Sequence, residues 1–261
     1  MPFEYWSSER KNLLAVQARI STRQLLENPG FCGQRPSFAM RRVALLLLVG
    51  VPLAEAWFSW LRVPLARRPV LEGVDLRRRR VAIDEDWAVS VFEIASVGSR
   101  VERWMESGEV SVVDPFGAVA WPGAVAAARA LKRVGVAGST VVCVGCGTGL
   151  EALAAVDLGA ARVYCLDYSE EALALARRSA DAAGCGDQVE TRLFDLYDDG
   201  DELPDHDVLV CADVLYDLGL AARCGEVAGN ALRRQEHKQA KLVATDSQRY
   251  AGHGDAFLEA L

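Results

Sequence analysis

The stretch Val141-Val142-Cys143-Val144-Gly145-Cys146-Gly147-Thr148-Gly149-Leu150-Glu151 reads as a buried strand, a glycine loop and the opening of a helix. The β-branched residues at its start favour a pleated, packed surface. Gly145, Gly147 and Gly149 stand at alternate positions, so the backbone can turn sharply and approach a ligand with no Cβ in the way. From Leu150 a helical pattern resumes, which turns the loop amides and the helix N-terminus toward that ligand. The spacing is G-x-G-x-G with no lysine. It therefore differs from the G-x-G-x-x-G of dinucleotide folds and from the G-x-x-x-x-G-K-[ST] of phosphate loops.

A second apolar run, Arg162-Val163-Tyr164-Cys165-Leu166-Asp167, ends in a carboxylate 18 residues beyond Gly149. In doubly wound folds an acid at about that distance (~20 residues) accepts hydrogen bonds from ribose hydroxyls. An ionised carboxylate offers only acceptors, which suits a diol. The competing reading of Asp167 is a cap for the helix that starts near Ser169.

Around these two units the pattern alternates regularly. Strands are predicted near 140–145, 162–166, 188–192, 207–211 and 241–245, with helices near 150–159, 170–183, 218–233 and 254–261. An alanine-rich helix over 124–133 is opened by Trp121-Pro122-Gly123, with proline well placed in a first turn. Residues 81–96 alternate as an added hairpin or strand would, and Asp114-Pro115-Phe116-Gly117 reads as a turn. Such alternation predicts an α/β fold, a doubly wound and mostly parallel sheet covered on both faces.

Composition narrows the function classes. The chain has 261 residues, half of them apolar, and a net charge of −7. Residues 1–80 hold 14 Lys/Arg against six Asp/Glu, whereas the remainder holds 15 against 30. The part carrying the loop is thus strongly acidic and repels a nucleic-acid backbone, so no nucleic-acid partner is expected. The seven cysteines (32, 143, 146, 165, 185, 211 and 224) show no second pair at zinc-site spacing, and no metal is expected. Cys143, Cys165 and Cys211 sit in apolar strands as small hydrophobes, which fits a reducing compartment.

The N-terminal region has its own logic. Met40-Arg41-Arg42 precedes an apolar core of twelve residues, Val43 to Ala54, followed by Ala54-Glu55-Ala56 and Trp57-Phe58. This is a basic start, a short hydrophobic core and an A-x-A cleavage pattern. Twelve residues fall short of the ~20 needed to span a bilayer, so no stable span is expected in a mature protein. The following segment is arginine-rich up to Arg77-Arg78-Arg79-Arg80. Residues 40–80 resemble a bipartite plastid-targeting leader, with the mitochondrion or cytoplasm as alternative destinations. Met40 is then expected to be the initiator and residues 1–39 an extension without an interpretable motif. The competing reading is a buried helix packed on the domain, which is expected over 81–261.

The glycine loop resembles that of class I methyltransferases, and Asp207-Val208-Leu209-Val210-Cys211-Ala212-Asp213-Val214-Leu215-Tyr216 adds a strand ending in D-x-x-Y. That ending is similar to the family-16 protein lysine methyltransferases. The run Asp114 to Gly123 is similar to the branch that modifies the electron transfer flavoprotein β subunit. The resemblance implies S-adenosyl-L-methionine as cofactor. It implies that Gly145, Cys146, Gly147 and Gly149 cradle it, that Trp121 and Ala212 lie beside it, and that Asp167, with Tyr168 next to it, takes its ribose. Asp195 would meet the adenine amino group, with Leu196 packed on the ring. Asp213 and Tyr216 would be catalytic, the first holding a lysine ε-amine of a protein substrate and the second lining its channel.

Two departures stand out. The family commonly carries an acid where Cys143 stands, and its fold usually finishes with a helix and two more strands after the point where this sequence ends. A domain truncated before its last two strands is the expectation. A small-molecule N-methyltransferase and a non-catalytic protein of the same fold are the alternatives.

Overall fold

The computed structural model describes residues 5–6, 15–16, 70–107, 115–234, 239–247 and 251–261. Backbone contacts divide the chain into two units, Met1–Ser21 with Gly73–Leu261, and Thr22–Glu72. The leader pattern up to residue 69, and Asp114, lie outside the described residues. Strands β1 (Tyr5–Trp6) and β2 (Ala15–Val16) form a short antiparallel pair.

The larger unit is built on one sheet of five parallel strands. In chain order these are β5 (Thr140–Val144), β6 (Arg162–Asp167), β7 (Val189–Leu193), β8 (Val208–Ala212) and β9 (Lys241–Thr245), and in space they run β7-β6-β5-β8-β9. The chain steps outward from β5 to β7, then crosses back to β8. The strand order therefore reverses at β5, and ligands in such sheets bind outside the carboxyl ends of the strands at this point. The predicted strands match to within two residues at every end. Among the described residues no further strand joins this sheet.

Alternation along each strand sorts the core into two layers. Val141, Cys143, Val163, Cys165, Val208 and Val210 pack on one face with helices α2 (Pro122–Val134), α3 (Leu150–Asp157) and α4 (Glu170–Ala182). Val142, Val144, Leu166, Leu209 and Leu242 pack on the other with α5 (Leu218–Arg234) and α6 (His253–Ala260). β5 and β8 are covered on both faces, which is why they read as unbroken apolar runs. Pro122 opens α2 with its φ already suited to a helix. Ser169 caps α4 by accepting from the Ala172 amide at 3.3 Å, and Glu170 and Glu171 complement the helix dipole.

An antiparallel hairpin, β3 (Leu76–Ala82) and β4 (Ala88–Ile94), covers the first layer. Val81, Ile83, Val89 and Val91 are buried there. The sequence reading places Arg77–Arg80 at the end of the leader and starts the domain at 81. The structure instead makes them strand residues, because Arg77 and Arg79 reach a fully buried Glu93 on β4, at 2.9 Å each. Glu93 also accepts from the Ala120 amide at 2.9 Å, which ties the hairpin to the segment before α2. Helix α1 (Val97–Ser107) was not anticipated. The predicted turn at 114–117 is a 3-10 turn over Pro115–Ala118.

Candidate functional site at the strand-order reversal

Gly145, Gly147 and Gly149 all adopt the left-handed region, at φ 66°, 49° and 78°. Only glycine does so at no steric cost, so the sequence pattern reflects a backbone requirement. A Cβ on Gly145 would strike a methyl of Val214, and one on Gly147 would lie 3.3 Å from the Gly117 carbonyl oxygen. The loop is therefore enclosed by the 115–118 turn and by the exit of β8. Gly145 and Cys146 donate to the Leu166 carbonyl at 2.8 and 3.1 Å, which fastens the loop to β6.

Asp167 ends β6 and is buried. Its Oδ2 accepts from the Gly147 amide at 3.0 Å and its Oδ1 from the Ser169 amide at 2.9 Å. The carboxylate thus joins the glycine loop to the start of α4. An ionised carboxylate offers only acceptors, the chemistry that a diol requires.

Asp213 follows β8 and is one of two non-glycine residues with positive φ among the described residues, at 55°. Its Oδ2 accepts from the Gly123 amide at 2.6 Å, in the first turn of α2. Its Oδ1 accepts from the Ser247 amide at 2.6 Å and the Ser247 hydroxyl at 2.7 Å, just past β9. The Thr245 hydroxyl closes the knot by donating to the Gly123 carbonyl at 2.8 Å. A carboxylate at a helix N-terminus is favoured by the exposed amides and the dipole. A Cβ on Gly123 would come within 2.6 Å of Asp213 Oδ2, so the close approach needs glycine there. The sequence reading assigns Asp213 to a substrate amine. The structure shows its carboxylate engaged by three donors of the protein itself.

The other expected residues divide in two. Trp121 is half-buried, donates from Nε1 to the Phe116 carbonyl at 2.7 Å, and so joins the 115–118 turn to α2 beside Asp213. Ala212 is buried at the end of β8. Cys146 is buried in the loop, where a hydrogen bond with Cys165, then burial, pushes its thiol well up. Burial chiefly does the same to Cys143. Both thiols are protonated, and among the described residues no set of His, Cys, Asp or Glu is arranged to hold a metal. Tyr168 is exposed at the exit of β6 and Tyr216 is 36% exposed after β8. Asp195 is exposed after β7 and forms a local turn, accepting from the Tyr197 amide at 2.9 Å. Half-buried Leu196 is held there by Arg223, which donates to its carbonyl at 2.6 Å.

Sequence reasoning missed Glu151, the second residue of α3. It is 2% exposed, and its carboxyl is pushed up to about 8 by burial first and then by the charges of Asp167 and Asp213. Its signal was visible only as an acid two residues after the last loop glycine, at the opening of the helix. Ser247 and Thr245 were missed because a serine and a threonine past a strand carry no pattern of their own.

Residues 141–234 match the model of a family described as a methyltransferase domain. The ribosomal protein L11 methyltransferase of Aeromonas hydrophila subsp. hydrophila is 35% identical over 123 residues, 42% of this chain and 42% of that protein. That of Edwardsiella ictaluri is 31% identical over 160 residues, 56% of this chain and 54% of the relative. The chain thus spans about half the length of the curated relatives it matches. Among solved structures, an S-adenosylmethionine dependent methyltransferase from Mesorhizobium loti aligns with a TM-score of 0.33 at 31% identity, covering 40% of this chain and 48% of that one. The sheet is a Rossmann-like α/β arrangement, residues 141–234 are similar to a class I methyltransferase domain, and the cofactor that goes with such a domain is S-adenosyl-L-methionine. The residues present suit a cation: Glu151 opens α3, Asp167 ends β6 and Asp213 follows β8, all on the carboxyl side of the sheet, and the charges acting on Glu151 are negative.

Proposed function

We propose that this chain is an S-adenosyl-L-methionine-dependent methyltransferase acting on a protein, with a lysine ε-amine as the acceptor. The observation that carries this reading is the left-handed glycine loop bonded to Asp167 at the strand-order reversal, inside the segment that matches a methyltransferase domain. The D-x-x-Y ending at Asp213–Tyr216 supports a protein amine, and so do relatives named for methylating a ribosomal protein.

The bound cofactor supplies a methyl group on a sulfonium, already activated for in-line displacement. The protein's part is positioning, which can account for much of such a rate enhancement. Gly145 to Gly149 and Asp167 hold the adenosyl portion, with Asp195 and Leu196 at the far end of the site. Asp213 fixes Trp121-Pro122-Gly123 against the exit of β8 and so shapes the wall that an amine must pass. Tyr216 stands at the mouth, where its ring and hydroxyl can guide the amine. A lysine amine reacts only when neutral, and an apolar channel close to a positive sulfonium lowers its pKa from about 10.4.

The test is incubation of the purified protein with methyl-labelled cofactor and a protein extract. Label in a protein band, recovered as methyl-lysine after hydrolysis, is the expected result. Label only in small molecules would replace the protein acceptor with a small amine. No cofactor binding by calorimetry would remove the enzymatic reading. The leader pattern that begins at Met40 supports delivery to a plastid as a further part of this proposal, checked by locating the native protein in fractionated cells.

A further inference from the structure

Two acids of this unit are almost completely buried within their elements, and they are treated very differently. Glu93 is 0% exposed and is matched by two arginines and a backbone amide from other segments. Glu151 is 2% exposed, and its carboxyl has only its own backbone amide as a hydrogen-bond partner among the described residues. Buried carboxyls without a cation or donor set stay protonated. Retaining such a group in a core otherwise filled by alanine and leucine calls for a partner that arrives from outside.

The place of Glu151 identifies that partner. It is the second residue of α3, two positions after Gly149, where the loop hands over to the helix. The titratable groups coupled to it through their charge are Cys143 on β5, Cys146 in the loop, Asp167 at the end of β6 and Asp213 after β8. The helices packed on α3 contribute apolar residues to the shared core, among them Ala124, Ala127, Leu173 and Ala176. The charges acting on it are thus two carboxylates already held by backbone amides, and a cation bound beside the loop would make Glu151 a third acid that can ionise.

We propose that Glu151 is a proton-exchanging ligand for the positive end of the methyl donor, protonated before the donor binds and ionised when the cation is seated. This rests on the methyltransferase reading above. On binding, the carboxyl O–H bond breaks, its proton passes to buffer, and the carboxylate makes a charge-assisted hydrogen bond or ion pair with the cation. Because burial and the neighbouring acids push the carboxyl up to about 8, it is mostly protonated at pH 7, and binding there releases close to one proton.

The experiment is calorimetric titration of the whole protein with S-adenosyl-L-methionine at pH 7, in buffers of different ionisation enthalpy. The expected result is a buffer-dependent heat equivalent to release of nearly one proton. In Glu151→Gln, which keeps the shape and cannot ionise, that proton disappears and affinity falls on the order of tenfold. A second titration uses S-adenosylhomocysteine, which keeps the ammonium and lacks the sulfonium. Retained proton release assigns Glu151 to the ammonium, and lost release assigns it to the sulfonium. Tight binding with no buffer dependence, or the same proton release in Glu151→Gln, would overturn the proposal while leaving the methyltransferase reading intact. No binding by the native chain would instead remove that reading.

Discussion

At the scale of single residues, Asp213 makes the sharpest claim. Its carboxylate accepts three short hydrogen bonds from two elements and holds a left-handed backbone. Asp213→Asn keeps the shape but replaces one acceptor oxygen with a donor that faces an amide. Charged, buried bonds of this kind are worth about 1.5–3 kcal/mol, so the variant is expected to lose at least about 2 kcal/mol of stability. Cofactor affinity should fall with it, because Gly123 and Trp121 lose their anchor. Denaturant unfolding beside cofactor titration checks this. A variant that stays stable and binds cofactor normally, yet transfers no methyl, would restore the direct role for Asp213 that its D-x-x-Y position implies. Glu151 yields a second prediction, of opposite sign to the usual carboxylate. Its folded-state value is raised from 4.5 to about 8, so the folded chain holds a proton that the unfolded chain gives up. The stability it contributes is fully present below pH 4.5 and is lost as pH rises to about 8. Within that window the loss approaches about 1.4 kcal/mol per pH unit. In the absence of cofactor, Glu151→Gln should therefore gain on the native chain between pH 5 and 8 in thermal melts, and the gap should stop widening above 8. Parallel curves for the two proteins would mean that Glu151 ionises as easily as a surface acid.

At the scale of elements, Glu93 links three pieces of the unit: two arginines of β3, its own strand β4, and Ala120 in the segment leading to Trp121. Glu93→Gln keeps an oxygen for Ala120 but cannot balance the two cations. Both arginine side chains are about half exposed (52% and 46%), so water screens much of the loss and about 1–2 kcal/mol is expected. The telling readout is cofactor affinity, which should weaken if the hairpin positions the Trp121 segment and stay unchanged if it is only a cover. Ser169→Ala should cost about 1 kcal/mol through loss of the α4 cap, seen in the same melts. The elements also show where sequence was informative. β5 and β8 were legible because burial on both faces leaves only apolar runs, and the helices between strands because they begin after a glycine, serine or aspartate. The hairpin start was not, since Arg77–Arg80 has the look of a solvated charge run until Glu93 is placed opposite. The glycine loop and Asp167 were legible because backbone conformation itself selects those residues. The knot around Asp213 was not, because hydrogen bonds spanning 90 and 34 residues leave no local spacing to detect.

At the scale of the whole molecule, the hairpin sets a limit on how far the basic N-terminal region can be removed. The leader pattern suggests a cut after Ala56, and the arginine run at 77–80 offers a tempting second site. The two cuts have very different physical consequences. Loss of the chain up to Ala56 leaves β3 whole. A cut within Arg77–Arg80 removes the partners of Glu93 and strips the pairing from β4. It also exposes Val89, Val91 and Ile94, which are at most 4% accessible in the folded unit. Each fully buried Val or Ile contributes about 1.5–3 kcal/mol, so three of them alone rival the ~5–15 kcal/mol margin of a typical domain. The hairpin also docks elsewhere, through Phe92 donating to Ser179 Oγ at 2.9 Å and Arg129 donating to the Ile83 carbonyl at 2.6 Å. The expectation is that the native protein begins upstream of Leu76 and that its arginine run at 77–80 resists limited trypsin digestion. N-terminal sequencing of the native protein and of tryptic fragments reads both points. A native start beyond Ala82, in protein that still melts cooperatively and binds cofactor, would show that the five-stranded sheet and its helices fold and function without the strand that carries those four arginines.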